Sequence, residues 1–353
     1  MKAISNKIIK KISKIMLAAS LVLLLTGCGE KNAMATAEAK QNGKAYSVVC
    51  TTYPQYDWVM NVLGSHADEY SVILLLDNGV DIHSYQPMVD DMAQISAADI
   101  FIYVGGESDA WVEDVLKSSE NPNLKSINLL DSIGDSAVAE ELKEGMQEED
   151  EEEGHDESED HDESEEGHHH DDRDIEYDEH VWLSLKNAEM LTGTIRDALC
   201  DLDPENAEDY KKNAEEYINK LDSLDKKYEE AVSGAKNKTL IFCDRFPFRY
   251  MLEDYGLDYY AAFIGCSAES EASFETITFL AEKVDELGVD TVYVIENSDE
   301  KLAQTIIDNT KSKNQEIVVI NSIQSVTDKD ITSGKDYYSI MEENLEALKK
   351  GLD

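Results

Sequence analysis

Two spacings of apolar residues run through the 353-residue chain. One is the short continuous run. In the first half these fall at 46–52 (YSVVCTT), 70–76 (YSVILLL), 99–104 (DIFIYV) and, more weakly, 124–129. In the second half they fall at 239–243 (TLIFC), 258–264 (DYYAAFI), 290–295 (DTVYVI) and 316–320 (EIVVI). Runs of this length between turn residues predict strands covered on both faces. The other spacing repeats at threes and fours. It predicts helices at 55–63, 87–97, 109–117, 247–255, 274–287, 299–310 and 337–350. Strand and helix alternate in each half, which implies an α/β protein of two (β/α) lobes, each with a parallel sheet. The lobes are expected at 46–185 and 236–353. Between them, 186–235 reads as linker helices. Tyr210, Ala214, Tyr217, Ile218, Leu221, Leu224, Tyr228 and Val232 form the stripe of one long rigid helix. At 1.5 Å per residue it would span about 40 Å. Paired lobes of this kind hold a ligand in the cleft at the carboxyl ends of their strands.

Two segments break the pattern. Lys2, Lys7, Lys10, Lys11 and Lys14 form a basic head, followed by eleven apolar residues at 15–25. That is too short for the roughly 20 residues a membrane span needs, and fits the apolar stretch of a secretory signal. Leu25-Thr26-Gly27-Cys28 follows and resembles a bacterial lipobox. Residues 1–27 are therefore expected to be a lipoprotein signal peptide and Cys28 the lipidation site. The small, polar 28–45 reads as a flexible tether. This places the protein at the extracytoplasmic face of a bacterial cell membrane, held there by lipid.

The second break is 140–179, expected to be a disordered loop. Within it, 148–179 carries 20 acidic residues against a single Arg. Such a segment cannot bury enough apolar surface to fold. The whole chain has a formal charge of −45, which argues against nucleic acid as a partner and favours cations.

Five of the eight histidines, His155, His161, His168, His169 and His170, lie among those acids. Imidazole with carboxylate suits Zn²⁺, and a segment of this kind reads as a weak metal collector. His66 sits in a polar turn. His83 follows the second strand run, and His180 ends the acidic loop beside Val181-Trp182-Leu183. The secretory setting permits disulfides among Cys50, Cys200, Cys243 and Cys266. No spacing among them fits a zinc knuckle, and sequence does not choose between pairings and free thiols. Motifs of hydrolases, nucleotide-binding proteins and zinc proteases are missing, so an enzyme reading has no support.

These residues resemble the zinc and manganese solute-binding lipoproteins of ABC importers. The likeness covers essentially all of 46–353. Residues 48–58 (VVCTTYPQYDW) look like the family's opening strand and helix. Residues 80–87 resemble its P-H-x-Y-x-P segment and place a metal histidine at His83. Residues 178–183 (DEHVWL) resemble its D-P-H-x-W-L segment and place a second at His180. Tyr255-Gly256-Leu257 matches a string in its second lobe. The resemblance implies two α/β lobes on a long helix with a metal between them.

The second lobe departs from that pattern. Arg245 stands where the family has its third histidine, and an Arg cannot ligate a cation. Asn321 to Gln324 stand where it has an acid. Since neighbouring strand residues face opposite ways, Asp244 is expected to turn in if Arg245 turns out. Glu269, Glu271 and Glu296 follow later strands. The expected site is His83, His180, Asp244 and one of Glu269, Glu271 and Glu296. The resemblance implies a monomeric receptor that captures Zn²⁺, with Mn²⁺ as a possible ion, and passes it to the permease and ATPase of an importer. An alternative is an adhesin or interaction protein on the same scaffold whose metal site has decayed.

Overall fold

The computed structural model describes residues 45–77, 79–119, 121–147, 176–267 and 271–352. The signal segment, Cys28, Glu269 and the five loop histidines lie outside the described residues.

Two four-stranded sheets, all parallel, make up the two lobes. The first contains β1 (Tyr46–Cys50), β2 (Tyr70–Leu74), β3 (Ile100–Tyr103) and β4 (Lys125–Asn128), in the order β2-β1-β3-β4. The second contains β5 (Thr239–Phe246), β6 (Asp258–Ile264), β7 (Thr291–Ile295) and β8 (Glu316–Ile320), in the order β6-β5-β7-β8. The strand order is the same in both. In each sheet the order reverses beside the first strand, which opens a crevice at the carboxyl ends. The helices of the first lobe are α1 (Tyr53–Leu63), α2 (Val89–Ala97), α3 (Val112–Ser118) and α4 (Leu129–Ile133). Helices α5 (Leu185–Leu202) and α6 (Ala207–Ser233) link it to the second lobe, which contains α7 (Arg249–Tyr255), α8 (Phe274–Leu287), α9 (Lys301–Asn309), α10 (Asp328–Thr332) and α11 (Tyr337–Leu352). None of the described helices is long and apolar enough to cross a membrane.

The long helix α6 ties the lobes together through its tyrosines. Tyr210 reaches Tyr70 (3.1 Å) and Tyr217 donates to Asp57 (3.1 Å), both in the first lobe. Three turns on, Tyr228 donates to the Met341 carbonyl of α11 (2.6 Å) in the second. Trp58 of α1 meets Tyr337 of α11 edge to face, with centroids 5.3 Å apart. One apolar core therefore runs from the first sheet through the helices into the second lobe. A smaller core covers the other face of the second sheet, around Ile241, Leu280, Val292 and Ile306.

Asp57 is a buried carboxyl within this junction. Burial, and then the charge of Asp336, push it up to about 7, against the hydrogen bonds from Tyr217 and Asn61. The folded chain thus keeps a proton there that the unfolded chain releases near 4. Stability from this group is full below that lower value and is lost as pH rises through the folded one. Asp57→Asn should raise stability at pH 7 by on the order of 3 kcal/mol. It should also flatten the decline between pH 4 and 7. Urea midpoints measured across that range test both.

Three expectations need correction. The helix expected at 55–63 begins at Tyr53, with Pro54 in its first turn, where its missing N–H costs nothing. The acidic loop does not begin at 140. Residues 140–147 lie against the second lobe: Gln147 N–H donates to the Ala262 carbonyl (3.0 Å) and Ser273 N–H donates to Gln147 Oε1 (2.6 Å). Lys143 pairs with Asp258 and sits over the Tyr259 ring, and Arg249 bridges to Glu141 (2.6 Å). Third, β5 runs on past Cys243 to Phe246, and its register with β6 shifts between Phe242 and Arg245. That irregularity breaks the strict in-and-out alternation of the strand. Asp244 and Arg245 consequently line the same cavity.

Candidate metal centre

The first histidine stands on a short turn after β2. Asp81 caps this turn, its Oδ1 accepting from His83 N–H (3.1 Å), and Ile82 anchors it in the core. His83 Nδ1 lies 2.9 Å from Ser108 Oγ, after β3, and 3.5 Å from Glu179 Oε2. Glu179 is itself held by the Ser108 N–H (2.8 Å).

The second histidine is fully buried. A single carboxylate oxygen, Asp178 Oδ1, takes both its main-chain N–H (2.8 Å) and its ring Nδ1 (2.9 Å). The turn Val181–Leu183 that follows is apolar and buried. Trp182 Nε1 donates to the Ser322 carbonyl of the second lobe (2.8 Å). Tyr250, also of the second lobe, donates to the Asp178 carbonyl (2.9 Å). Both lobes therefore buttress the segment that aims His180.

The two rings meet with their Nε2 atoms 3.2 Å apart. At that distance one ring donates N–H to the other, or both lone pairs converge on a cation. The oxygens beside both Nδ1 atoms suit the second arrangement: with each Nδ1–H donated to its oxygen, both Nε2 lone pairs face one point between the rings. Two ligands at about 2.05 Å from a tetrahedral zinc would stand roughly 3.3 Å apart.

The electrostatics agree. Burial, and then the neighbouring His180, hold His83 well below the ordinary histidine range. Burial also opposes charge on His180, yet the charge and hydrogen bond of Asp178, with Glu179 and Glu140 behind them, lift it above that range. Burial raises Glu140 and Glu179 themselves. Three acids around two imidazoles make a pocket that stabilises added positive charge.

From the second lobe, the atom that joins this pair is the Cys266 sulfur. It and ligand atoms of His83 and His180 all lie within 4.8 Å of one another. Cys266 stands two residues after the end of β6. Gly265 precedes it because the backbone passes so close to His180 that a Cβ there would sit 2.9 Å from His180 Cε1 and 3.0 Å from the Phe246 carbonyl. The thiol is free, as are those of Cys50, Cys200 and Cys243. Burial, and then Glu140, Glu179 and Asp178, raise it far above the ordinary thiol value.

The expected acids of the second lobe stand elsewhere. Asp244, Glu271 and Glu296 line a neighbouring cavity of ≈ 780 Å³ that His83 also borders, but none of them joins the His83–His180–Cys266 group. Glu296 is already engaged, taking Ser322 N–H (2.6 Å) and its hydroxyl (2.7 Å). Arg245 points into the interlobe space rather than away, and its Nη2 donates to Asp81 Oδ2 across the cleft (2.8 Å). That pairing offsets the guanidinium charge beside the histidines. Sequence reading stopped at the glutamates of 265–273 and passed over Cys266. The signal was its place, two residues beyond the end of β6 behind a glycine.

Residues 48–351 match the family model ZnuA, zinc-uptake complex component A, periplasmic. The zinc-binding lipoprotein AdcA of Streptococcus pneumoniae (strain ATCC BAA-255 / R6) is 35% identical over 344 residues, which cover 98% of this chain and 61% of that one. The high-affinity zinc uptake system protein ZnuA of Bacillus subtilis (strain 168) is 32% identical over 343 residues, 97% of this chain and 98% of that one. Among solved structures, the Zn(II)-bound ZnuA-like domain of Streptococcus pneumoniae AdcA aligns with a TM-score of 0.67 at 32% identity, over 88% of this chain and 100% of that one. The chain thus spans about three fifths of the length of the AdcA relatives it matches.

Proposed function

Because the chain belongs to the ZnuA family of zinc-uptake components, we propose that it is a receptor that binds Zn²⁺ between its lobes and hands it to the permease of an ABC importer. The observation that carries this reading is the His83–His180 pair. Two imidazoles from separate segments face each other at 3.2 Å, each with an oxygen at its Nδ1. Such a pair is suited to bind a cation between its Nε2 atoms. Zn²⁺ is cargo here, and the protein holds and releases it without covalent chemistry. The names of the relatives, zinc-binding lipoprotein and zinc uptake protein, support zinc over manganese. The basic head, apolar run and Cys28 support a lipid anchor on the extracytoplasmic face, from which the lobes meet a permease. The acid- and histidine-rich 148–174 would raise the local concentration of metal.

Zinc calorimetry on chelator-treated protein lacking 148–174 tests the reading. One tight site is expected, with only the weak, multi-site heat removed by the deletion. Loss of all tight binding on deletion would place the metal on the loop and end the receptor reading of the cleft.

A further inference from the structure

We propose that Cys266 supplies the second lobe's metal ligand, so that the cargo site is a thiolate with two imidazoles. This rests on the receptor reading above and specifies its ligand set and metal class. Three observations carry it. Cys266 is the second-lobe residue whose ligand atom falls within 4.8 Å of the paired histidines among the described residues. The expected acids of that lobe among the described residues, Asp244, Glu271 and Glu296, line the neighbouring cavity and stand outside this group, and Glu296 is already held by Ser322. And the backbone is shaped for the approach, since Gly265 leaves no room for a Cβ against the His180 ring.

Zinc bound this way has three protein ligands and an open fourth position, a coordination it adopts readily. On binding, the Cys266 S–H bond breaks, its proton passes to solvent, and the sulfur lone pair forms the bond to zinc. In tetrahedral zinc the sulfur would stand about 3.6 Å from each imidazole nitrogen, a distance within the span of the group. Thiolate is a soft ligand that favours Zn²⁺ and disfavours Mn²⁺. The cleft would therefore reject manganese through Cys266, a selectivity that two imidazoles and carboxylates would not provide.

The test uses Co²⁺ in place of Zn²⁺ on the metal-free full chain. At one equivalent, the wild type should show a thiolate-to-cobalt charge-transfer band in the near ultraviolet. Cys266→Ser should bind Co²⁺ without that band. Its zinc affinity, measured by chelator competition, should drop by more than ~100-fold, beyond what loss of an outer hydrogen bond costs. Its preference for Zn²⁺ over Mn²⁺ should narrow. A second measurement needs no substitution: one equivalent of zinc should shield Cys266 from alkylation, read by mass spectrometry, while Cys200 keeps reacting. Tight cobalt binding without a thiolate band, or Cys266 alkylated equally with and without zinc, would overturn the ligand assignment and leave the receptor standing. Absence of any tight site in the wild type would overturn both.

Discussion

His83→Ala combined with His180→Ala should abolish tight zinc binding while the protein stays folded. Structural zinc binding is worth roughly 12 kcal/mol in small sites. Shared among three ligands, that is about 4 kcal/mol each, or near a thousand-fold in affinity per ligand lost. Each single variant should fall by about that factor, and the double variant to the level of loop binding alone. His83 lies on a short turn after β2 and His180 just before the turn Val181–Leu183, so neither belongs to a strand or an α-helix. His83 borders the cleft, so its removal opens space already lined by polar groups. His180 is more deeply set, and its loss leaves Asp178 Oδ1 still bonded to the main-chain N–H. Circular dichroism should therefore be unchanged. Wild-type affinity in the double variant would remove the site from the cleft.

The largest effect on stability is expected at Trp182. It is fully buried, packs on His180 with centroids 5.4 Å apart, and donates its indole N–H to the Ser322 carbonyl across the lobes. Trp182→Ala should cost about 3–5 kcal/mol in lost packing and cavity. A further 1–3 kcal/mol comes from the orphaned Ser322 carbonyl. Together these approach the whole margin of a typical domain. Trp182→Phe keeps most of the packing and should lose little more than the hydrogen bond. Urea midpoints for the two variants separate these contributions. If Trp182→Ala unfolded at the wild-type midpoint, the turn after His180 would not be the interlobe joint described above. Zinc affinity should also fall in Trp182→Ala, since the turn that aims His180 would be free to shift.

Much of this architecture was legible in the residues. The runs 258–264 and 316–320 and the helix 274–287 coincide with β6, β8 and α8, because apolar spacing and flanking turn residues agreed there. His83 and His180 were singled out through the family resemblance of their segments rather than by their own neighbours, and the fold brings their rings to 3.2 Å. What the residues did not disclose depends on three dimensions. The shifted register of β5 cannot be read from a string, and it brought Arg245 inward beside Asp244. The ion pair between Arg245 and Asp81 joins positions 164 apart. Cys266 was hidden for a different reason: its meaning comes from the two histidines that the fold brings to it. The docked 140–147 segment carries too few apolar residues to signal order, and it is held by hydrogen bonds, by its own Lys143 on Asp258 and Tyr259, and by Arg249 of the second lobe on Glu141.

The central claim is that the metal sits between His83 and His180 in the interlobe cleft. A crystal structure of the zinc-loaded protein, with anomalous data on both sides of the zinc absorption edge, tests it most directly. The account requires one strong anomalous peak about 2 Å from both Nε2 atoms. A peak elsewhere, or a cleft whose histidines still bond to each other at full zinc occupancy, would contradict it.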